Sequence, residues 1–270
     1  TITAVSAENK DISAECSVRI VGDDELYPLT PHMIKLPVGA SFQMEMYDPN
    51  SLLDSTYVSW ESSDEELAVV DDHGLVTVKG YGVLKITLTV HDEITYSWDV
   101  WTENQCSIYN GFVYSGSTIL GYVGTDTDVT VPSVINGATI TSIAQIAFDS
   151  NERLVSVTVP DTVKNIGMGA FESCPNLRTV KLPEGLTELQ QGLFMYCSSL
   201  KKIDLPDSLT EIGPAAFSDS GLTEIDIPES VESIGMSAFA GCTELEKVTI
   251  HSGLARIASY AFRGCNKVTE

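Results

Sequence analysis

Leu177-Arg178-Thr179-Val180-Lys181-Leu182-Pro183-Glu184-Gly185-Leu186-Thr187-Glu188-Leu189-Gln190-Gln191-Gly192-Leu193-Phe194 is the stretch that decides how most of this chain folds. Val180 and Leu182 alternate with polar neighbours, so a short strand turns one side inward. Pro183 has no N–H, and it ends that strand without removing a bond from inside a ladder. Leu186 and Leu189 supply an apolar pair for the next side of a coil, and Phe194 fills its widest part. One copy of about 23 residues cannot enclose a core, whereas stacked copies bury a continuous one.

The same register recurs on both sides. Phe148, Phe171, Phe194, Phe217, Phe239 and Phe262 stand 23, 23, 23, 22 and 23 residues apart. Ile143, Ile166, Leu189, Ile212, Ile234 and Ile257 lie five positions before them. Leu154, Leu177, Leu200, Leu245 and Val268 lie six after, and in the shortened copy Leu222 lies five after. The pairs Val157/Val159, Val180/Leu182, Ile203/Leu205, Ile225/Ile227 and Val248/Ile250 follow. Pro160, Pro183, Pro206 and Pro228 close four of these segments, with His251 in the fifth slot. A period of this length marks a leucine-rich-repeat solenoid whose short strands pair in parallel, about 4.8 Å apart.

Three positions after each Phe come Asn151, Cys174, Cys197, Ser220, Cys242 and Cys265. They read as an inward ladder of small side chains bonded to the main chain. Disulfides between adjacent copies are the alternative. Parallel stacking sets equivalent side chains about 4.8 Å apart, and a disulfide wants Cβ atoms near 3.8 Å, so free thiols are expected. The redox state of Cys16 and Cys106 stays open.

Leu182 to Leu189, Ile166 to Cys174 and Ser233 to Cys242 resemble the BspA-type leucine-rich repeat family, found mainly in surface and secreted proteins of anaerobic bacteria. The resemblance covers about residues 107–270. Gly111 to Tyr114, Gly121-Tyr122 and Val129 to Pro132 look like that family's opening segment, which implies a small hairpin covering the first coil. The far end has no further strand after Cys265 and is expected to be uncovered.

No 23-residue period reaches back before Cys106. Val58-Ser59-Trp60 alternates, Asp71-Asp72-His73-Gly74 signals a tight hairpin, and Leu84 to Val90 alternates cleanly before a last strand from Tyr96 to Trp101. Roughly seven strands in about 100 residues suggest a β-sandwich. Val58 to Val78 is similar to the bacterial immunoglobulin-like group 2 domain, with Val38-Gly39 before Phe42 matching its opening strand. Ile12 to Ile20 is a candidate edge strand. Trp60 and Trp98 are expected in the core. Trp101 faces outward and is expected to pack against Tyr109 or Phe112, fixing the angle between domains. The fold class is therefore mainly β: an immunoglobulin-like sandwich (1–104), a cap (105–140), and a solenoid with short parallel strands (141–270).

The chain carries 15 Lys+Arg against 38 Asp+Glu among 270 residues, a formal charge of −23. Residues 1–105 contribute 5 basic and 19 acidic groups, and residues 106–270 contribute 10 and 19. Such a field excludes nucleic acid and repels anionic lipid. No apolar run is long enough to span a bilayer, so no membrane insertion is expected in this segment. The start at Thr1 fits a mature exported protein or a trimmed chain equally.

Nothing in the chain signals a catalytic nucleophile, a phosphate loop or a dinucleotide site. His32, His73, His91 and His251 share no ligand spacing; Asp71-Asp72-His73 reads as a hairpin tip, and Asp126 and Asp128 lack a third ligand for calcium. No enzyme activity, cofactor or metal is expected. The best candidate contact face is the outward side of the repeat strands: Ser156 and Thr158, Thr179 and Lys181, Lys202 and Asp204, Glu224 and Asp226, Lys247 and Thr249. These form two polar columns without an aromatic, which disfavours sugar stacking and is equally compatible with a merely solvated face. The family resemblance implies a monomeric, extracellular or surface-exposed bacterial protein that adheres to or contacts a host or neighbouring-cell protein. The alternatives are a glycan-binding accessory protein, with a shelf around Tyr109, Tyr114 and Tyr122, and a passive spacer.

Overall fold

A computed structural model describes residues 2–5, 13–16, 27–28, 33–44, 46–47, 58–90, 94–103 and 106–269. The described residues contain strands and turns and no helix.

The N-terminal region is a sandwich of a four-stranded and a three-stranded sheet. The larger sheet runs Met33–Pro37, Ile94–Glu103, Gly82–Val90, Val58–Ser62, and the smaller runs Ser41–Gln43, Leu75–Val78, Ala68–Val70. Strand Gly82–Val90 buries Leu84, Ile86, Leu88 and Val90 and turns the residues between them outward, as alternation demands. Trp98 is buried and stacks on Trp60 with ring centroids 5.7 Å apart. The hairpin at Asp71 to Gly74 joins Ala68–Val70 to Leu75–Val78, with Gly74 at φ 80°. A Cβ there would meet the Trp60 ring at 2.8 Å, so the turn and the core tryptophan require glycine together.

Two details of the sandwich differ from expectation. Its edge strand is Met33–Pro37, parallel to Ile94–Glu103, while Ser13–Cys16 pairs antiparallel with Ile2–Val5 in a separate sheet. The rest of the Ile12 to Ile20 segment lies outside the described residues. Val38 and Gly39 form the turn that carries the chain from one sheet to the other. Gly39 N–H bonds to Val78 C=O at 3.0 Å, which ties that crossing to the smaller sheet.

The C-terminal region is a solenoid of six coils, each centred on one repeat phenylalanine. Phe148, Phe171, Phe194, Phe217, Phe239 and Phe262 stack with centroids 5.0 to 5.6 Å apart, and the last pair is nearly coplanar at 3°. Tyr122 and Phe112 of the opening hairpin continue the stack at 5.8 and 4.9 Å, so the cap is part of the same core. Each coil needs left-handed backbone two residues before and two residues after its phenylalanine. Glycine fills only Gly169, Gly192, Gly241 and Gly264 of these slots. Ile146, Ala215, Ser237, Tyr260 and others hold positive φ without it, against the usual Cβ penalty.

The inward ladder consists of free thiols. Cys174, Cys197, Cys242 and Cys265 each donate to the carbonyl of the preceding coil's phenylalanine, at 3.1, 3.1, 3.0 and 3.0 Å. Asn151 accepts from the N–H groups of Arg153 and Leu154, and Ser220 Oγ lies 3.3 Å from Cys242 Sγ. Burial pushes Cys197 up to about 12 and Cys242 to about 11. These thiols stay protonated and serve packing.

The sandwich meets the solenoid along its edge strand. Ile34 and Lys35 lie against Gly121 to Val123 and the Ile146 to Asp149 turn, and Val123 packs on the sandwich core. Trp101 faces outward and is 39% exposed, while Phe112 is buried against Tyr122. No ring pair among the described residues joins Trp101 to Tyr109 or Phe112. Strand Met33–Pro37 lies beside all three strands of the cap hairpin.

Candidate functional site

The solenoid strands arise wherever two inward residues bracket one outward position and a proline ends the run. Ser156–Thr158, Thr179–Lys181, Glu224–Ile227 and Lys247–Ile250 bury Val157, Val180, Ile225 and Ile227, while Val248 is partly buried. All ten sequence-derived face residues accordingly point away from the core. Ser156, Thr158 and Thr249 are half-buried, and the other seven are exposed. In-register pairing sets Ser156 beside Thr179, Thr158 beside Lys181, Glu224 beside Lys247 and Asp226 beside Thr249. The first coil adds Asp128 and Thr130, paired with Ser156 and Thr158. Val129 to Pro132 belongs to the segment expected as cap, yet its Val-x-Val-Pro pattern is the repeat's own strand signal.

The column is interrupted in the middle. Residues 202–204 keep Ile203 buried and Lys202 and Asp204 outward, but they form no ladder with either neighbouring strand. The Lys201 carbonyl accepts from Thr223 N–H at 3.0 Å, and among the described residues no main-chain bond joins residues 202–204 to either neighbouring strand. A groove of about 490 Å³ opens at this interruption, lined by Lys202 to Leu205, Asp207, Glu224 to Asp226, Pro228, Glu229, Lys247, Thr249 and His251. Six of the ten face residues line it; Ser156, Thr158, Thr179 and Lys181 lie outside it.

Charge in the groove is cross-linked between coils. Lys202 Nζ lies 2.9 Å from Glu224 Oε1, and His251 Nε2 lies 2.8 Å from Asp226 Oδ1. The hydrogen bond to Glu224, helped by the charges of Glu224, Asp204 and Asp226, raises the Lys202 pKa. Ser252 Oγ donates to Glu229 at 2.9 Å. His251 was visible in sequence only as the residue that replaces proline in the fifth slot, and the ring uses that slot to reach back to Asp226. Asp207 and Glu229, each just beyond a strand-ending proline, carried no signal of their own.

The other candidates are occupied by local structure. Asp71 Oδ1 accepts from the N–H groups of Leu75 and His73 at 2.8 and 2.9 Å, and the Leu75 bond above all holds its carboxyl below the usual range. Tyr122 donates to Asp126, and Asp128 accepts from Ser156 and Thr127. No group of three or more His, Cys, Asp or Glu side chains among the described residues is arranged to hold a metal. The three tyrosines do not make a shelf. Tyr122 is 5% exposed within the aromatic stack, Tyr114 packs against the solenoid core, and Tyr109 is 38% exposed. No helix among the described residues is long and apolar enough to cross a membrane.

Known proteins match in the same two regions. The profile of the BspA type leucine rich repeat region matches residues 131–269 in six copies, just over half of the chain. That of the bacterial Ig-like domain (group 2) matches residues 28–96. No curated protein matches. Similar solved structures include a leucine-rich repeat protein of T. pallidum, 28% identical over 62% of this chain and 88% of its own, with a TM-score of 0.49. One from Bacteroides ovatus ATCC 8483 is 29% identical over 60% of this chain and 49% of its own, with a TM-score of 0.49. A leucine rich cell surface protein of Faecalibacterium prausnitzii A2-165 is 28% identical over 53% and 54%, with a TM-score of 0.34. The chain therefore spans about half the length of the latter two. Six stacked coils with the repeat's own phenylalanine column carry the conclusion: the chain belongs to the BspA-type leucine-rich repeat family, with a group 2 bacterial immunoglobulin-like domain ahead of the repeats.

Proposed function

We propose that this is a non-catalytic, monomeric protein of the bacterial exterior, exported or held at the cell surface, that adheres to a protein of a host or neighbouring cell through the solenoid strand face. The division is a sandwich over 1–104, a cap over 105–140 whose strand Asp128–Thr130 already extends the contact face, and the solenoid over 141–270. Both matching families are typical of bacterial surface proteins, and leucine-rich repeats point to protein–protein contact or adhesion. The observation that carries the reading is the pair of outward columns on successive coils, broken by a groove at Lys202 to Asp204. A flat, repetitive, accessible face of this kind offers a partner many weak polar contacts with little cost of reorganisation.

The experiment is a pull-down from host-cell and neighbouring-cell surface extracts. The intact chain is compared with a variant carrying Thr179→Ala, Lys202→Ala, Glu224→Ala and Lys247→Ala, all outward on one column. A protein retained by the first and lost by the second supports the contact face. Equal retention by both, or a tyrosine-dependent glycan signal in its place, overturns it. No retained protein at all leaves the chain as a spacer.

A further inference from the structure

Two domains joined in one chain ordinarily move against each other unless the contact between them is large and apolar. Here only residues 104–106 separate strand Ile94–Glu103 of the sandwich from strand Ser107–Tyr109 of the cap. Strand Met33–Pro37, at the edge of the larger sandwich sheet, lies beside Ser107–Tyr109, Phe112–Ser115 and Thr118–Tyr122. The sandwich is therefore docked through the strand whose outer side has no partner within its own sheet.

Alternation divides the end of the third cap strand between two cores. Tyr122 turns its ring into the phenylalanine stack, 5.8 Å from Phe148, and the next residue, Val123, packs against the sandwich core. The main chain is pinned at the same point: Tyr122 N–H donates to Ala147 C=O at 3.2 Å, and Val123 N–H to Gly111 C=O at 2.8 Å. Beside it the two bodies approach closely. Gly121 is buried, and a Cβ there would lie 3.8 Å from both Lys35 Cβ and the Ala147 carbonyl oxygen. That spacing admits a methyl group and sets two walls against a longer side chain. The space left between Ile34, Lys35 and the segments 120–123 and 146–149 is about 10 Å³, too little for a layer of water.

We propose that the sandwich and the solenoid move as one rigid body, locked by Val123 and by the close approach at Gly121. The angle between them is set by the cap strand and not by Trp101, whose ring faces outward. The lock presents the strand face at one attitude to the sandwich, so a partner that touches both regions binds without first having to order them. It holds whatever the strand face binds.

The test measures residual dipolar couplings of the backbone amides in the full chain. The expected result is one alignment tensor that fits both regions. Two tensors of unequal magnitude in the unsubstituted chain would overturn the proposal. Gly121→Leu should drive a side chain between Lys35 and Ala147 and split the common tensor in two, while the couplings within each region still fit its own fold. Val123→Ser, which keeps the strand and removes the apolar contact with the sandwich, should split it less. If Gly121→Leu disturbs the cap itself, Val123→Ser decides. Trp101→Ala should leave the single tensor intact. A single tensor that survives the joint variants, or one that is lost on Trp101→Ala, would assign the angle to other contacts and overturn the lock.

Discussion

The sandwich and the solenoid are both built from strands, yet they close their cores in opposite ways. In the sandwich, strand Met33–Pro37 lies beside Ile94–Glu103, and residues far apart in sequence must assemble together before Trp98 is covered. In the solenoid each coil touches only its neighbours along the stack, and the phenylalanine column is assembled one ring at a time. The first core is all-or-none, and the second is a sum of neighbour contacts. Damage should therefore spread through the sandwich but stay local in the coils.

The largest expected effect tests this directly. Phe194→Ala should cost about 3–5 kcal/mol, with hydrogen exchange speeding up in the coils of Phe171, Phe194 and Phe217 while the sandwich strands keep their protection. Trp98→Ala should cost a similar amount and expose all seven sandwich strands together. A Phe194→Ala chain that loses both regions in one transition would break the comparison. Next comes Gly221→Ala, in the shortened copy, where a Cβ would clash with the Ser198 carbonyl oxygen. The loss should be about 1–3 kcal/mol, seen as a lower unfolding midpoint for the solenoid alone.

A smaller effect is set by pH. Folding holds the buried thiols protonated well above the usual range, with Cys197 at about 12 and Cys242 at about 11. The unfolded chain releases those protons near the ordinary thiol value. Solenoid stability is thus complete below that value and falls as pH rises toward 11, by about 1 kcal/mol per thiol at pH 10. Cys197→Ser, which puts at this coil the hydroxyl that Ser220 already supplies in the next, should flatten the decline in urea titrations from pH 8 to 10. A decline unchanged by that substitution would assign it elsewhere. The smallest effect is a gain. Ala215 holds φ at 51° in a slot where Gly169 and Gly192 serve two earlier coils. Ala215→Gly should raise solenoid stability by about 0.5 kcal/mol, read as a small rise in its melting temperature.

The same contrast explains what could be read in advance. A repeat writes its three-dimensional neighbours into its spacing, so the phenylalanine column, the inward thiols and the outward columns all followed from register. The sandwich has no such period. Its alternating strands were legible, but the choice of Met33–Pro37 as edge strand depends on pairing across the chain, and alternation does not encode partners. The groove was hidden for a third reason. Lys202 to Asp204 carries the same pattern as its neighbours, and the missing ladder there is a matter of how adjacent coils meet. His251 was a partial exception, since it broke the proline slot and marked the coil where the groove ends.

The ladder of thiols has a direction. Each one bonds to the carbonyl of the preceding coil's phenylalanine, and the N–H groups of Phe148, Phe171, Phe194, Phe217 and Phe239 are in turn accepted by carbonyls of the coil that follows. A coil is thus left chemically unfinished until its successor arrives. A chain emerging from the ribosome amino end first delivers the aromatic cap, then the coils in order, so each new coil docks on a prepared surface and completes the one before it. The solenoid's wiring matches the order of its synthesis.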